Sequence, residues 1–128
     1  MKEPVRTDAA PAPFQGAPYS QAIKANGFVF VSGQLALKPG EKELAPGGIA
    51  EQTEQVFANL RAILEAAGSS LEQIVKTTVF LQNLDDFAAM NEVYARHVGS
   101  TPPARSTFEV AKLPSGALVE IEAVALAE

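Results

Sequence analysis

Arg105, with Glu120 or Glu122 as its neighbour, is the pairing whose residue types and placement could bind and transform a small organic acid. A guanidinium is a planar fork that takes a carboxylate through two parallel hydrogen bonds, which a lysine cannot do. A partly desolvated carboxylate nearby could act as a general base toward water. The run Ala104 to Val110 reads as a strand whose period of two sets Arg105, Thr107 and Glu109 on one face. Ala104, Ser106, Phe108 and Val110 take the other, expected to be the core face. Ala117 to Leu126 reads as a second strand, joined to the first by a six-residue link with Pro114 and Gly116, which predicts an antiparallel hairpin. If Val110 pairs with Ala117, Arg105 stands opposite Glu122, and a slip of two residues sets it opposite Glu120. In both registers the cation and a carboxylate share the face away from the helices. Two readings stay open: an ion pair across strands that serves stability alone, and an anion site with a base beside it.

The remaining candidates offer less. Tyr19 by itself reads as a packing aromatic. His97 falls on the polar edge of a helix, where it reads as a solvated histidine with no second ligand at metal spacing. The absence of cysteine excludes disulfides, a thiolate nucleophile and iron–sulfur or cysteine–zinc sites, so no metal is expected. Ser32 and Ser106 lack a base and an orienting group in a recognisable arrangement. Gly47-Gly48 lacks the Lys and Ser/Thr of a phosphate loop. A net charge of −5 and a pI near 4.9 speak against a nucleic-acid groove, because that affinity comes from clustered Lys and Arg.

The elements that must position these residues follow from periodicity. With 47% apolar and 20% charged residues, a chain of 128 residues suits one folded domain spanning 1–128. No apolar run approaches the roughly 20 residues of a membrane span, and Met1 to Pro13 lacks a signal peptide's apolar middle, so the expected location is cytoplasmic. Thr7 to Pro18, rich in Ala and Pro, suggests an extended arm, with order expected only from Tyr19 onward. Phe28 to Val31 reads as a strand covered on both faces, and Lys38 to Gly48 as a loop. Between Ile49 and Ala67 an amphipathic helix is predicted. Val56, Phe57, Leu60, Ile63 and Leu64 lie inward, Glu51, Gln52, Gln55, Asn59 and Glu65 outward, and Gly68 ends it.

Ile74 to Leu81 reads as a central strand. A second helix follows, capped by Asn83 or Asp85, with Phe87, Met90, Tyr94 and Val98 on one face and Gly99 at its end. The fold class predicted is α+β, an antiparallel or mixed sheet with two helices on one face. On the last strand Val119, Ile121, Ala123 and Ala125 should meet the helices. Leu118, Glu120, Glu122, Val124 and Leu126 then lie on an uncovered face that a symmetric oligomer could bury.

Pro103-Ala104-Arg105-Ser106 followed by Val119-Glu120-Ile121-Glu122-Ala123 resembles the Rid family, the reactive intermediate deaminases also called YjgF-like or liver perchloric-acid-soluble-protein-like. The likeness extends, in order, through Ala17-Pro18-Tyr19-Ser20-Gln21-Ala22, Ser32-Gly33-Gln34, Ala66-Ala67-Gly68, Val75 to Leu81, Asp86-Phe87 with Asn91 and Tyr94, and Leu113-Pro114. The resemblance implies a chorismate-mutase-like fold, a homotrimer with a cleft at each subunit boundary, and hydrolysis of 2-imino acids and enamines such as 2-aminoacrylate to 2-keto acids and ammonia. It implies no cofactor and no metal. Carried over, Arg105 would clamp the substrate carboxylate and Glu120, rather than Glu122, would activate water. Tyr19, Ser32, Gly33, Asn91 and the backbone of Thr107 would line the cleft. Many members carry Cys where this chain has Thr107, and the commonest arm has Gly directly before Pro where this one reads Gly16-Ala17-Pro18-Tyr19. A keto-acid sensor without turnover and an RNA-cleaving translation inhibitor are the alternatives, the latter at odds with the acidic charge.

Overall fold

The computed structural model describes residues 1–127. Six strands form one sheet in the order β1-β2-β3-β6-β4-β5. They are β1 (Glu3–Val5), β2 (Ala22–Ala25), β3 (Phe28–Gln34), β4 (Ile74–Leu81), β5 (Ala104–Glu109) and β6 (Val119–Leu126). The two helices are α1 (Ile49–Ala66), between β3 and β4, and α2 (Phe87–His97), between β4 and β5. Every neighbouring pair is antiparallel except β4 and β5, which run parallel. A parallel pair needs a crossover, which α2 supplies. The mixed sheet with two helices is the α+β architecture expected. No helix among the described residues is long and apolar enough to cross a membrane.

The core lies between the helices and one face of the sheet. Val29 and Val31 of β3, Val79 and Leu81 of β4, and Val119, Ile121, Ala123 and Ala125 of β6 meet Val56, Phe57, Leu60, Ile63 and Leu64 of α1 in one buried cluster. β6 therefore faces as its alternation predicts. Each large side chain so buried contributes about 1.5–3 kcal/mol, which places β6 in the middle of the sheet and leaves β5, whose alternation is polar, at its edge.

That placement corrects the expected hairpin. β5 and β6 do not pair, because β4 lies between them: Arg105 is in register with Thr77, and Glu120 with Phe80. The two faces of β5 are also exchanged. Thr77 is fully buried on the helix side, so Arg105, Thr107 and Glu109 face α2, while Phe108 lies on the open face at 52% exposure. Arg105 and Glu120 stand on opposite faces of the sheet, contrary to the expectation that they share one.

Four further expectations change. β3 is not covered on both faces: Val29 and Val31 are buried, while Phe28 and Phe30 are exposed on the open face. The N-terminal segment is not loose before Tyr19. Glu3–Val5 pairs with β2, and the buried Gln21 ties the arm down: its amide donates to the carbonyls of Thr7, Ala10 and Pro11 and accepts from the Thr7 N–H. Gln52 and Asn59 of α1, expected outward, are buried. Asn59 donates to the carbonyls of Leu35 and Leu37, and Gln52 accepts from the N–H of Leu118, so each satisfies backbone that leaves the ladder beside the site. His97 is not solvated. Its ring stacks on Phe57 at 4.7 Å and its Nε2 lies 2.8 Å from the Glu54 carboxylate, joining α2 to α1.

Candidate functional site

The expected site residues fall into two groups on one chain. Tyr19, Ser32, Gly33 and Glu120 line a cavity of about 440 Å³ that continues along Phe14, Leu35, Leu37 and Pro114. Arg105, Asn91 and Thr107 lie apart from it, where α2 crosses the edge strand.

The first group is assembled by a β-bulge. Between Val31 and Gln34 the β3–β6 register gains one residue, so Ser32-Gly33 bows away from the ladder next to Glu120. Ser32 holds the bulge to the segment after Tyr19. Its N–H donates to the Gln21 carbonyl, and its hydroxyl donates to the Ser20 carbonyl at 2.6 Å. That hydroxyl proton is committed to the backbone, which removes Ser32 as a nucleophile. Tyr19 is anchored through its phenol oxygen, which accepts the N–H of Phe14 at 2.5 Å across a turn that includes Gly16 at φ +69°. The Gly-Ala-Pro-Tyr arm thus gives Tyr19 a fixed aim into the cavity.

Glu120 packs directly on Gly33. A Cβ at position 33 would overlap Glu120 Oε2 and stand 3.0 Å from its Cδ. Glycine here leaves the carboxylate its present position, and its dihedral freedom is not used. Burial raises the Glu120 pKa above the ordinary 4.5, and the charge of Glu122 two residues on raises it further. The carboxyl so held can give and take a proton closer to neutrality. Gly33→Ala tests this seat: the flexible end of Glu120 must move while the fold should persist, and a reaction in which this carboxyl is the proton acceptor should slow roughly 10–100-fold, the cost of displacing a reacting group by about 1 Å. Unaltered turnover with a folded protein would show that the seat is unimportant.

The second group centres on a cation with no carboxylate partner. Among the described residues the only ion pair of an arginine or lysine joins Arg96 to Glu54, whose carboxylate also lies against His97. Arg105 instead donates from Nη1 to Asn91 Oδ1 at 2.8 Å, with its Cζ 4.7 Å from the Tyr94 ring centroid and 5.4 Å from that of Phe87. The cross-strand Arg–Glu pair is therefore excluded in either register. Asn91 touches the guanidinium itself, and Thr107 shares its face of β5. Val110 N–H donates to the Leu81 carbonyl across β4–β5. By the alternation of a parallel ladder, the N–H of Thr107 then points to the free edge. The sequence reading missed Phe87 and Tyr94 as contacts of Arg105, although Phe87, Asn91 and Tyr94 at i, i+4 and i+7 form one helical stripe that could have shown it.

No group of three or more metal-ligating side chains occurs among the described residues. The Endoribonuclease L-PSP family model matches residues 7–127. A RutC family protein of Pyrococcus horikoshii is 51% identical over the whole of both chains. The 2-iminobutanoate/2-iminopropanoate deaminase of Mus musculus is 41% identical over 98% of this chain and 92% of its own. The crystal structure of RidA from the Antarctic bacterium Psychrobacter sp. PAMC 21119 superposes with a TM-score of 0.91 at 45% identity, covering 97% of this chain and 98% of that one. With a six-stranded mixed sheet, two helices and this breadth of similarity, the chain belongs to the Rid/YjgF family, also called the RutC or L-PSP family.

Proposed function

We propose that this chain hydrolyses 2-imino acids and their enamine tautomers to 2-keto acids and ammonia, in clefts completed by a second copy of itself. The observation that carries the reading is Arg105: a half-exposed guanidinium held by a neutral amide and two aromatic rings, with no carboxylate beside it. Such a fork is prepared for an external carboxylate. The deaminase name of the mouse relative supports a substrate that carries one.

Because Arg105 and Glu120 occupy opposite faces of the sheet, one chain does not bring both to a small acid. Two copies can. The open face presents Phe30 and Phe108, together with Phe28 and Leu126 at its far end, as exposed apolar side chains, the kind of surface that a cyclic oligomer buries. Packing that face on the edge of a neighbour would set Glu120, Tyr19 and Gly33 of one copy against Arg105, Asn91 and Thr107 of the next. A homotrimer closes such head-to-tail contacts without a free end.

In that cleft Arg105 takes the carboxylate in two hydrogen bonds and the outward N–H of Thr107 adds a third donor. Glu120 accepts a proton from water as the water oxygen bonds to the imine carbon and the C=N electron pair moves onto nitrogen. Glu120 returns that proton to nitrogen, giving the carbinolamine; it then takes the hydroxyl proton and passes it to the amine, so that the C–N bond breaks with ammonia as the leaving group while the O–H electron pair forms the carbonyl. Imines hydrolyse in water unaided, so positioning and proton transfer worth roughly 10²–10⁴-fold are sufficient. The test generates a 2-imino acid in situ with an amino-acid oxidase and follows its capture by semicarbazide. The protein should divert imine to free keto acid. Stabilisation by pyruvate with no diversion would establish a sensor instead.

A further inference from the structure

Resting on the reading of Arg105 as the carboxylate clamp, we propose that Phe87 and Tyr94 are positioning residues whose rings hold the guanidinium in place of a counter-ion, with Thr77 fixing the Tyr94 ring. Three observations converge on this. First, the stripe Phe87, Asn91, Tyr94 is one face of α2 and supplies the contacts found for the guanidinium: two ring faces, one amide oxygen and a polar contact with the Tyr94 hydroxyl. An aromatic face attracts a cation without using its N–H donors, whereas a carboxylate would occupy the fork that the substrate needs. Bonds to one amide and one hydroxyl leave the other donors of the fork free.

Second, Tyr94 is locked from three sides. Its hydroxyl lies 2.6 Å from that of the fully buried Thr77, its ring meets Phe57 edge-on at 5.5 Å, and its other contact is Arg105. Thr77 is also the β4 residue in register with Arg105, so strand, ring and cation are fixed by one another. Third, the phenol cannot serve as the missing anion. Burial raises its pKa above 10.0, more than the Thr77 bond and the charge and hydrogen bond of Arg105 lower it, so it stays neutral beside the cation. The device is a site that tolerates a semi-buried positive charge while keeping it unpaired. An acidic residue in place of either ring would satisfy the charge and close the clamp.

The experiment measures the dissociation constant for pyruvate, together with KM and kcat for imine hydrolysis, in the full oligomer. Phe87 is 40% exposed, so Phe87→Leu and Phe87→Tyr leave the fold unchallenged. Phe87→Leu should weaken pyruvate binding roughly three- to tenfold, with KM rising in step and kcat little changed, and Phe87→Tyr should restore both. Tyr94→Leu should add a similar loss. Tyr94→Phe, which keeps the ring but frees it from Thr77, should fall between. Phe87→Glu should abolish pyruvate binding. If Arg105→Ala abolishes pyruvate binding while Phe87→Leu and Phe87→Glu stay within twofold of wild type, the rings have no positioning role and this inference falls alone. If Arg105→Ala itself leaves binding unchanged, the clamp and the inference both fall.

Discussion

Arg105→Ala should lower kcat/KM for imine hydrolysis roughly 10²–10⁴-fold, because two charge-assisted hydrogen bonds are lost at about 1.5–3 kcal/mol each and every 1.4 kcal/mol is tenfold. Most of the loss should appear in KM, since a clamp on a spectator carboxylate binds ground and transition states alike. Arg105→Lys should recover little, as an ammonium offers a point charge and not a fork. The fold should tolerate both changes. Arg105 lies on an edge strand with no carboxylate to orphan, and its ring contacts contribute about 0.5–1 kcal/mol at a site of this exposure. Measurement of turnover beside thermal unfolding separates the two effects. An unchanged kcat/KM in the folded variant would remove Arg105 from the site.

Glu120→Gln should act on kcat instead, lowering it roughly 10²–10⁴-fold, the range of a positioned proton-transfer group. As the base, Glu120 works ionised, so the wild-type rate should rise with pH through a value above the ordinary 4.5, displaced by burial and by Glu122. The same displacement fixes the sign of a stability effect. A carboxyl whose folded pKa exceeds its unfolded one contributes stability below the unfolded value and loses that contribution as pH rises through the folded value. Glu120→Gln carries no charge at any pH, so it should be more stable than wild type near pH 7 and little different near pH 4. Denaturant unfolding at both pH values checks this. Lower stability of the variant at neutral pH would mean that the carboxylate is not held at a desolvation cost.

Local patterns in the sequence were sufficient for the helices and the central strand. The helix expected over Ile49 to Ala67 spans Ile49–Ala66, and β4 has the bounds its Val, Ile and Thr content predicts. β1 and β2 escaped because Glu3–Val5 and Ala22–Ala25 are too short to show a period and are strands only in company. The alternation along Ala104 to Val110 was legible, but which face it gave to the core was not. Phe108 resembles a core residue, while Arg105 resembles a surface one. At a sheet edge the aliphatic stem and guanidinium of an arginine can lie on helix aromatics, and the phenylalanine can be left for an open face.

The choice of candidate site residues was thus carried by motif resemblance, and their arrangement was not. Pairing β5 with β6 followed from their adjacency in the chain. The choice of β6 as the strand between β3 and β4 depends on long-range burial of Val119, Ile121, Ala123 and Ala125 under both helices. Gln52 and Asn59 were misplaced for a related reason. Their amides answer backbone groups at Leu118, Leu35 and Leu37 whose needs exist only in the folded chain.

Co-assembly of two inactive variants tests the composite cleft most directly. Arg105→Ala and Glu120→Gln chains are unfolded together in equal amounts and refolded as mixed oligomers, and imine hydrolysis is compared with that of each variant refolded alone. In a cyclic trimer every mixed ring has one seam where an intact Arg105 faces an intact Glu120, so activity should return to roughly a quarter of wild type. Mixed oligomers as inactive as their parents would contradict a site shared between neighbouring copies.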